Sequence, residues 1–468
     1  MFVLIPSSKN SHLHSVVAAM SKPEIKPVPI KIHPRLTSGR FNNVRVGMVV
    51  LTQLAFFGMP WLLWNGRQAV HFNLAEHHFL IFGISLWPQD FIYLAALLVV
   101  SALGLFLWTT LAGRLWCGYS CPQTVYTQIM IWIERAIQGD HNARRKLDAA
   151  PMSVGKFAKK GATQAIMAAF SLWTGLTFVG YFTPMRELAT LQMGPWDLFW
   201  TLFYGGFTWL MAGVLREKVC LHMCPYARFQ GSMFDDHTLV ISYDAKRGEP
   251  RGKTQAKSDA QTKGCIDCGI CVQVCPTGID IRNGLQYECI GCAACIDACD
   301  QVMDKLKSPR GLIRYTSAQA LQGKPAQSGP SFHRPRIVIY SCLLAGIITM
   351  STTALVLKKP FKVDVLRDRA SLVEQSDDGL LQNRYSLRVI NTTEQAQRYV
   401  VSVEGLPGIR MEKPGQVIEV KPAQTETVPV RVQVEPESAP RGSHRIHFVI
   451  RSLNDDVSIR EKSSFIGE

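Results

Sequence analysis

The chain has 468 residues, 47% of them hydrophobic, and a formal net charge of +15. That length accommodates two or three domains, and a basic balance fits either nucleic acid or an anionic membrane face. The charge flanks apolar runs and no Lys/Arg-rich helix carries interleaved aromatics, so a nucleic-acid surface is set aside for the membrane.

Residues 1–43 are polar and basic, with Lys22, Lys26, Lys31, Arg35 and Arg40. Their apolar stretches are too short for a cleaved signal. They predict a disordered basic cytoplasmic arm, with Met20 as the expected start. Region 44–243 predicts four transmembrane helices, at 46–64, 91–112, 161–182 and 198–215, and a fifth follows at 337–357. Each run is free of charge and close to the roughly 20 residues that cross a bilayer. Loop 113–160 holds eight Lys and Arg, whereas loop 65–90 holds only Arg67 and loop 183–197 only Arg186. The bias puts loop 113–160, the N-terminus and 216–336 in the cytoplasm and the C-terminal region outside. Lys358, Lys359 and Lys362 argue the other way but are outweighed. Tryptophans near the span ends read as an aromatic belt, and His71, His77 and His78 as surface histidines of the first external loop, with a periplasmic metal site as the alternative.

Twelve of the thirteen cysteines sit in tight motifs, which reads as metal ligation in a reducing compartment. Two pairs read C-x3-C-P: Cys117 and Cys121-Pro122, then Cys220 and Cys224-Pro225. Each follows a predicted span, so spans one and two look duplicated as spans three and four. On a helix, positions i and i+4 share a face, so each pair predicts two sulfurs aimed at one centre. Soft thiolates suit Cu(I), zinc or an iron–sulfur cluster, with His222, Met223 and Met130 as further candidate ligands. Four inert buried cysteines are the alternative.

A polar linker, 244–263, leads to a ferredoxin-like domain at 264–315. There C-x2-C-x2-C-x3-C occurs twice. In bacterial two-cluster ferredoxins the fourth cysteine of each run serves the other cluster. The pattern assigns Cys265, Cys268, Cys271 and Cys299 to one [4Fe–4S] cluster. Cys289, Cys292, Cys295 and Cys275 take the second. Gly269 and Gly291 are expected where the backbone passes close to a cluster. Asp300 replaces the usual second proline and removes no ligand. Zinc is the rival, but three cysteines at successive x2 spacing with a fourth at x3 favour iron–sulfur.

After the fifth span, 358–468 predicts short strands at 384–390, 399–403, 417–420, 427–434, 445–451 and 457–465, a periplasmic immunoglobulin-like sandwich. The fold class is therefore a multi-domain membrane protein. It joins a five-helix transmembrane region, an α+β two-cluster ferredoxin-like domain and a C-terminal all-β sandwich.

Six further motifs accompany the cysteine runs: WLLWNGRQ at 61–68, WPQD at 87–90, WCGYSCPQ at 116–123, WIER at 132–135, GDHNAR at 139–144 and PRGLIRY at 309–315. Together they resemble the cytochrome c oxidase accessory proteins CcoG, also called FixG or RdxA, from about residue 40 to the end. The resemblance implies a bacterial inner-membrane polyferredoxin linked to copper handling in the assembly of a cbb-type oxidase. It also implies an immunoglobulin-like C-terminal domain. On this reading a cytoplasmic donor feeds the two clusters. Cys117, Cys121, Cys220 and Cys224 then bind copper and catalyse its reduction. Expected partners are oxidase subunits or copper-handling assembly factors. The rivals are a quinol-oxidising membrane polyferredoxin and a non-enzymatic assembly scaffold.

Overall fold

A computed structural model describes residues 32–75, 77–190, 192–252, 264–321, 334–368, 373–376 and 378–467. Five helices are long and apolar enough to cross a membrane: Arg40–Trp61, Phe91–Ala112, Val154–Val179, Pro195–Leu215 and Pro335–Val356. They match the five expected spans, but the first and third begin earlier, at Arg40 and Val154. The third starts there because the Ser153 hydroxyl accepts from the Lys156 N–H, an N-cap.

The expected disordered arm is corrected where it is described. Residues 32–39 are packed, and only 1–31 lie outside the described residues. The Arg35 N–H donates to Gln273 O at 2.8 Å, and Pro34 O accepts from Arg144. The first span then receives its cap from another domain. The Phe41 and Asn42 N–H groups donate to the Asp297 carboxylate, which lies between Cys295 and Cys299. Of the predicted linker, 244–252 is described and docks on the ferredoxin-like domain, while 253–263 lies outside the described residues.

The spans pack unevenly. The third and fourth meet closely because neither Gly175 nor Gly205 has a side chain; a Cβ on Gly175 would lie 2.4 Å from Thr201 O. The second lies along the fifth. The first and second share no extended contact.

On the side away from the ferredoxin-like domain, residues 62–90, most of them expected as an external loop, form small antiparallel sheets. They carry the C-terminal domain. Trp64, Asn65 and Arg67 all donate to the Glu394 carboxylate. The buried Asp90 accepts from Lys358 at 2.8 Å and Lys362 at 2.6 Å.

The C-terminal domain is a two-sheet antiparallel sandwich. One sheet runs Arg410–Met411, Thr425–Val434, Leu381–Asn391, Phe361–Arg367, with Glu374–Gln375 beside Leu381–Asn391. The other runs Val417–Val420, Gln397–Glu404, Gly442–Ser452, Ser458–Gly467. Alternate residues of both sheets fill the core, among them Tyr385, Leu387, Val389, Tyr399, Phe448 and Phe465. Phe361–Arg367 was not among the expected strands, although Phe361, Val363 and Val365 alternate as a strand's buried face must.

Candidate electron-transfer site

The ferredoxin-like domain is closed by antiparallel pairing of Val240–Tyr243 with Ile313–Thr316. Between them the two cysteine runs fold alike. In each, the residues on either side of the second cysteine have left-handed backbone: Asp267 and Gly269 around Cys268, Gly291 and Ala293 around Cys292. The turn after that residue starts a helix, Ile270–Gln273 or Ala294–Lys305, which presents the third cysteine. Sequence reasoning found the glycines. It missed that Asp267 and Ala293 adopt the same conformation with side chains attached.

Two cavities result. One is lined by Cys265, Cys268, Cys271 and Cys299. The other is lined by Cys275, Cys289, Cys292 and Cys295, with Cys271 at its edge. Cys299 of the second run lines the first cavity and Cys275 of the first run lines the second. Burial pushes the Cys271 thiol up to about 11 and the Cys289 and Cys299 thiols to about 12. Clustered thiols this reluctant to ionise suit a cationic metal centre, which supplies the compensating charge. Among the described residues no three His, Cys, Asp or Glu side chains close on a single ion. Asp300 lets the helix continue to Lys305, and its carboxylate accepts from the Gly311 N–H at 3.0 Å.

The C-x3-C-P pairs depart from the helical expectation. Cys117 lies in the short helix Leu115–Tyr119, but Cys121 is extended and caps the next helix, Pro122–Gln138. Cys220 lies in the wide turn Val219–Met223, and Cys224 caps Pro225–Met233. The proline forces the break, because the residue before it is pushed out of the helical region. Neither pair therefore shares one helical face.

The duplication itself is seen in the backbone. Gly113 (φ 57°, ψ −125°) and Arg216 (φ 46°, ψ −116°) end their spans in the same rare conformation, each four residues before the first cysteine. Cys121 N donates to Trp116 O and Cys224 N to Val219 O, both five residues back. Gly113 thus corresponds to Arg216.

The four thiols still come together, close enough to influence one another's ionisation. Burial, reinforced by the neighbouring thiols, pushes Cys117 up to about 11 and Cys220 up to about 12. Burial also raises Cys121, opposed by the Thr124 and Gln123 N–H groups. The buried Gln230 amide lies 3.5 Å from the Cys117 sulfur. Met130 packs elsewhere, with Met167 and Ala212, and His222 and Met223 are exposed.

This thiol face lies against the second cluster cavity. Cys117 and Cys220 pack with Val274, Ile290 and Cys292. Arg114, buried, donates to the carbonyls of Tyr287, Cys289 and Ala227 and so joins the two parts. Below them Glu134, 2% exposed, holds Arg144 and Arg216 at 3.0 Å each, which accounts for the WIER and GDHNAR motifs.

Residues 94–139 match the family described as a 4Fe-4S binding domain, and residues 215–318 a 4Fe-4S dicluster domain. Residues 351–468 match the "IG-like fold at C-terminal of FixG, putative oxidoreductase". Protein RdxA of Cereibacter sphaeroides is 37% identical over 439 residues, 91% of this chain and 92% of that one. Nitrogen fixation protein FixG of Rhizobium meliloti is 36% identical over 426 residues, 82% and 81%. The chain belongs to the FixG/RdxA family. A crystal structure of a FixG-related protein from Vibrio parahaemolyticus aligns with 24% of this chain and 99% of its own, at 29% identity and TM-score 0.22. As a FixG/RdxA member with both 4Fe-4S domains, the chain is a membrane iron–sulfur electron-transfer protein.

Proposed function

We propose that this protein reduces Cu(II) to Cu(I) at Cys117, Cys121, Cys220 and Cys224, serving assembly of a cbb-type cytochrome c oxidase. Cys265, Cys268, Cys271 and Cys299 hold one [4Fe–4S] cluster; Cys275, Cys289, Cys292 and Cys295 hold the other. When bound, these clusters supply one-electron carriers beside the four thiols. The single observation that carries the reading is the convergence of two duplicated C-x3-C-P turns on one face that packs against Cys292.

Copper is the substrate here. Thiolates prefer Cu(I), so the ion gains one electron where its reduced form is held better. Gln230 holds the Cys117 sulfur in place, and the Gln123 and Thr124 N–H groups favour the Cys121 thiolate.

The protein lies in the bacterial inner membrane with its twelve motif cysteines on the cytoplasmic side and its sandwich in the periplasm. The loop charges support this orientation. The contrary lysines after the fifth span lose much of their weight, since Lys358 and Lys362 both close on Asp90. The sandwich offers the surface for oxidase subunits or copper-handling factors.

The test is Cu(I) formation by anaerobically purified protein, followed with a Cu(I)-specific chelator. Cys121→Ser with Cys224→Ser should abolish it and weaken Cu(I) binding while both clusters form. Full copper reduction by that variant would refute the reading.

A further inference from the structure

Between the first and second spans, at their cluster-side ends, lies a cavity of about 1030 Å³. It exists because these spans, unlike the third and fourth, share no extended contact. One wall is a single face of the second span, Gly104, Leu105 and Trp108; the opposite wall is Val44 and Met48. Trp108 and Val44 are about half exposed in a membrane-spanning region, so the cavity opens toward hydrocarbon. At this size it holds a ligand of some tens of atoms, since such pockets usually run about 300–1,000 Å³.

Its floor is Tyr119 and Tyr315. The Tyr315 hydroxyl donates to Gly291 O at 2.6 Å, and the next residue is Cys292. The Tyr119 hydroxyl is buried against that of Tyr315. Two phenols therefore separate the cavity from the second cluster cavity. The rim offers donors, the Arg40 guanidinium, the Trp108 and Trp116 indoles and the Ser120 hydroxyl, and among the described residues no acidic side chain lines it.

We propose that this cavity binds a lipid-soluble hydroquinone, whose oxidation supplies the protein's electrons. A ligand arriving through hydrocarbon must be lipid-soluble. The rim donors fit the oxygens of a quinone ring. Contact with the loop that carries Cys292 selects a redox-active occupant over a phospholipid, which would be served equally by any groove between spans. In the reaction the hydroquinone loses two electrons and two protons and becomes quinone. The two electrons would pass one to each of the [4Fe–4S] clusters that the two cysteine groups would hold, and the protons leave to water at the Arg40 rim. The proposal rests on the cluster reading and is independent of copper.

The test uses the full chain in phospholipid nanodiscs under argon. Decylubiquinol should bleach the visible cluster absorbance of the wild type, and a photoreactive azidoquinone should label peptides containing Trp108 or Trp116. Gly104→Phe should fill the cavity without disturbing the fold, since a Cβ there meets nothing within 4 Å. It should keep its iron and its reduction by dithionite, lose the label, and slow reduction by quinol by about tenfold or more, roughly 1.4 kcal/mol. The proposal is overturned if wild-type clusters accept electrons from dithionite but not from quinol. It is equally overturned if Gly104→Phe is reduced by quinol at the wild-type rate, or if a phospholipid but not a quinone displaces the label. Copper reduction by dithionite-loaded protein bypasses the cavity, so failure there strikes the copper reading alone.

Discussion

Gly118 lies directly on the backbone of Cys292: a Cβ added to it would come within 2.9 Å of both Cys292 N and Cys292 Cα. The glycine sits one residue after Cys117, so a side chain there must push the thiol face away from the second cluster cavity. No flexible side chain is present to absorb the clash, because the opposing atoms are main chain. Gly118→Val should keep full iron content and reduction by dithionite, while copper reduction falls by about tenfold or more, a barrier increase of roughly 1.4 kcal/mol. Iron analysis alongside the chelator assay checks this.

Iron stoichiometry tests the cluster ligands. Anaerobic protein should carry about eight iron atoms per chain, the content of two cubanes. Cys268 is the exposed member of its group. Cys268→Ser should lose the cluster it shares with Cys265, Cys271 and Cys299 and perturb the second, because both cavities share the core around Cys271. Zinc in place of iron would contradict the assignment.

Asp90 fixes the sandwich to the spans. Burial pushes its carboxyl up, but the Lys358 and Lys362 ammonium groups and the Trp87 N–H outweigh burial and hold it below its ordinary value of 3.8. A depressed folded pKa contributes stability that is fully present above the unfolded value and is lost as pH falls through the folded one. Thermal melts should therefore lose this contribution only below pH 3.8. Asp90→Asn should lower stability at neutral pH by about 1.5–3 kcal/mol and flatten the acid dependence.

The five spans, the two-cluster motif and the sandwich were legible in the sequence because each follows a strong periodicity or spacing. What was not legible depends on contacts far apart in the chain. Asp297 reads as one acid inside a cysteine run, yet it caps the first span some 255 residues earlier. WLLWNGRQ was recognised as a motif, but its purpose needed Glu394, whose carboxylate gathers three of its side chains. The C-x3-C-P pairs were given the wrong local geometry. A rule for continuous helices was applied across Pro122 and Pro225, where the helix restarts.

Orientation is tested by fusions. A reporter active only in the periplasm should work when joined at Glu468 and fail when inserted within 244–263. The opposite pattern would put the cysteines on the oxidising side.

The central claim, that electrons held by this chain reach copper through the four membrane-face thiols, is tested most directly by a single-turnover experiment. The clusters are reduced with dithionite, excess reductant is removed, and Cu(II) is added under argon while electron paramagnetic resonance follows the clusters. The account predicts that wild-type clusters reoxidise in step with the formation of about two Cu(I) per chain, one electron per cluster. The Cys121→Ser and Cys224→Ser double variant should keep its clusters reduced. Reoxidation and Cu(I) formation at the wild-type rate in that variant would contradict it.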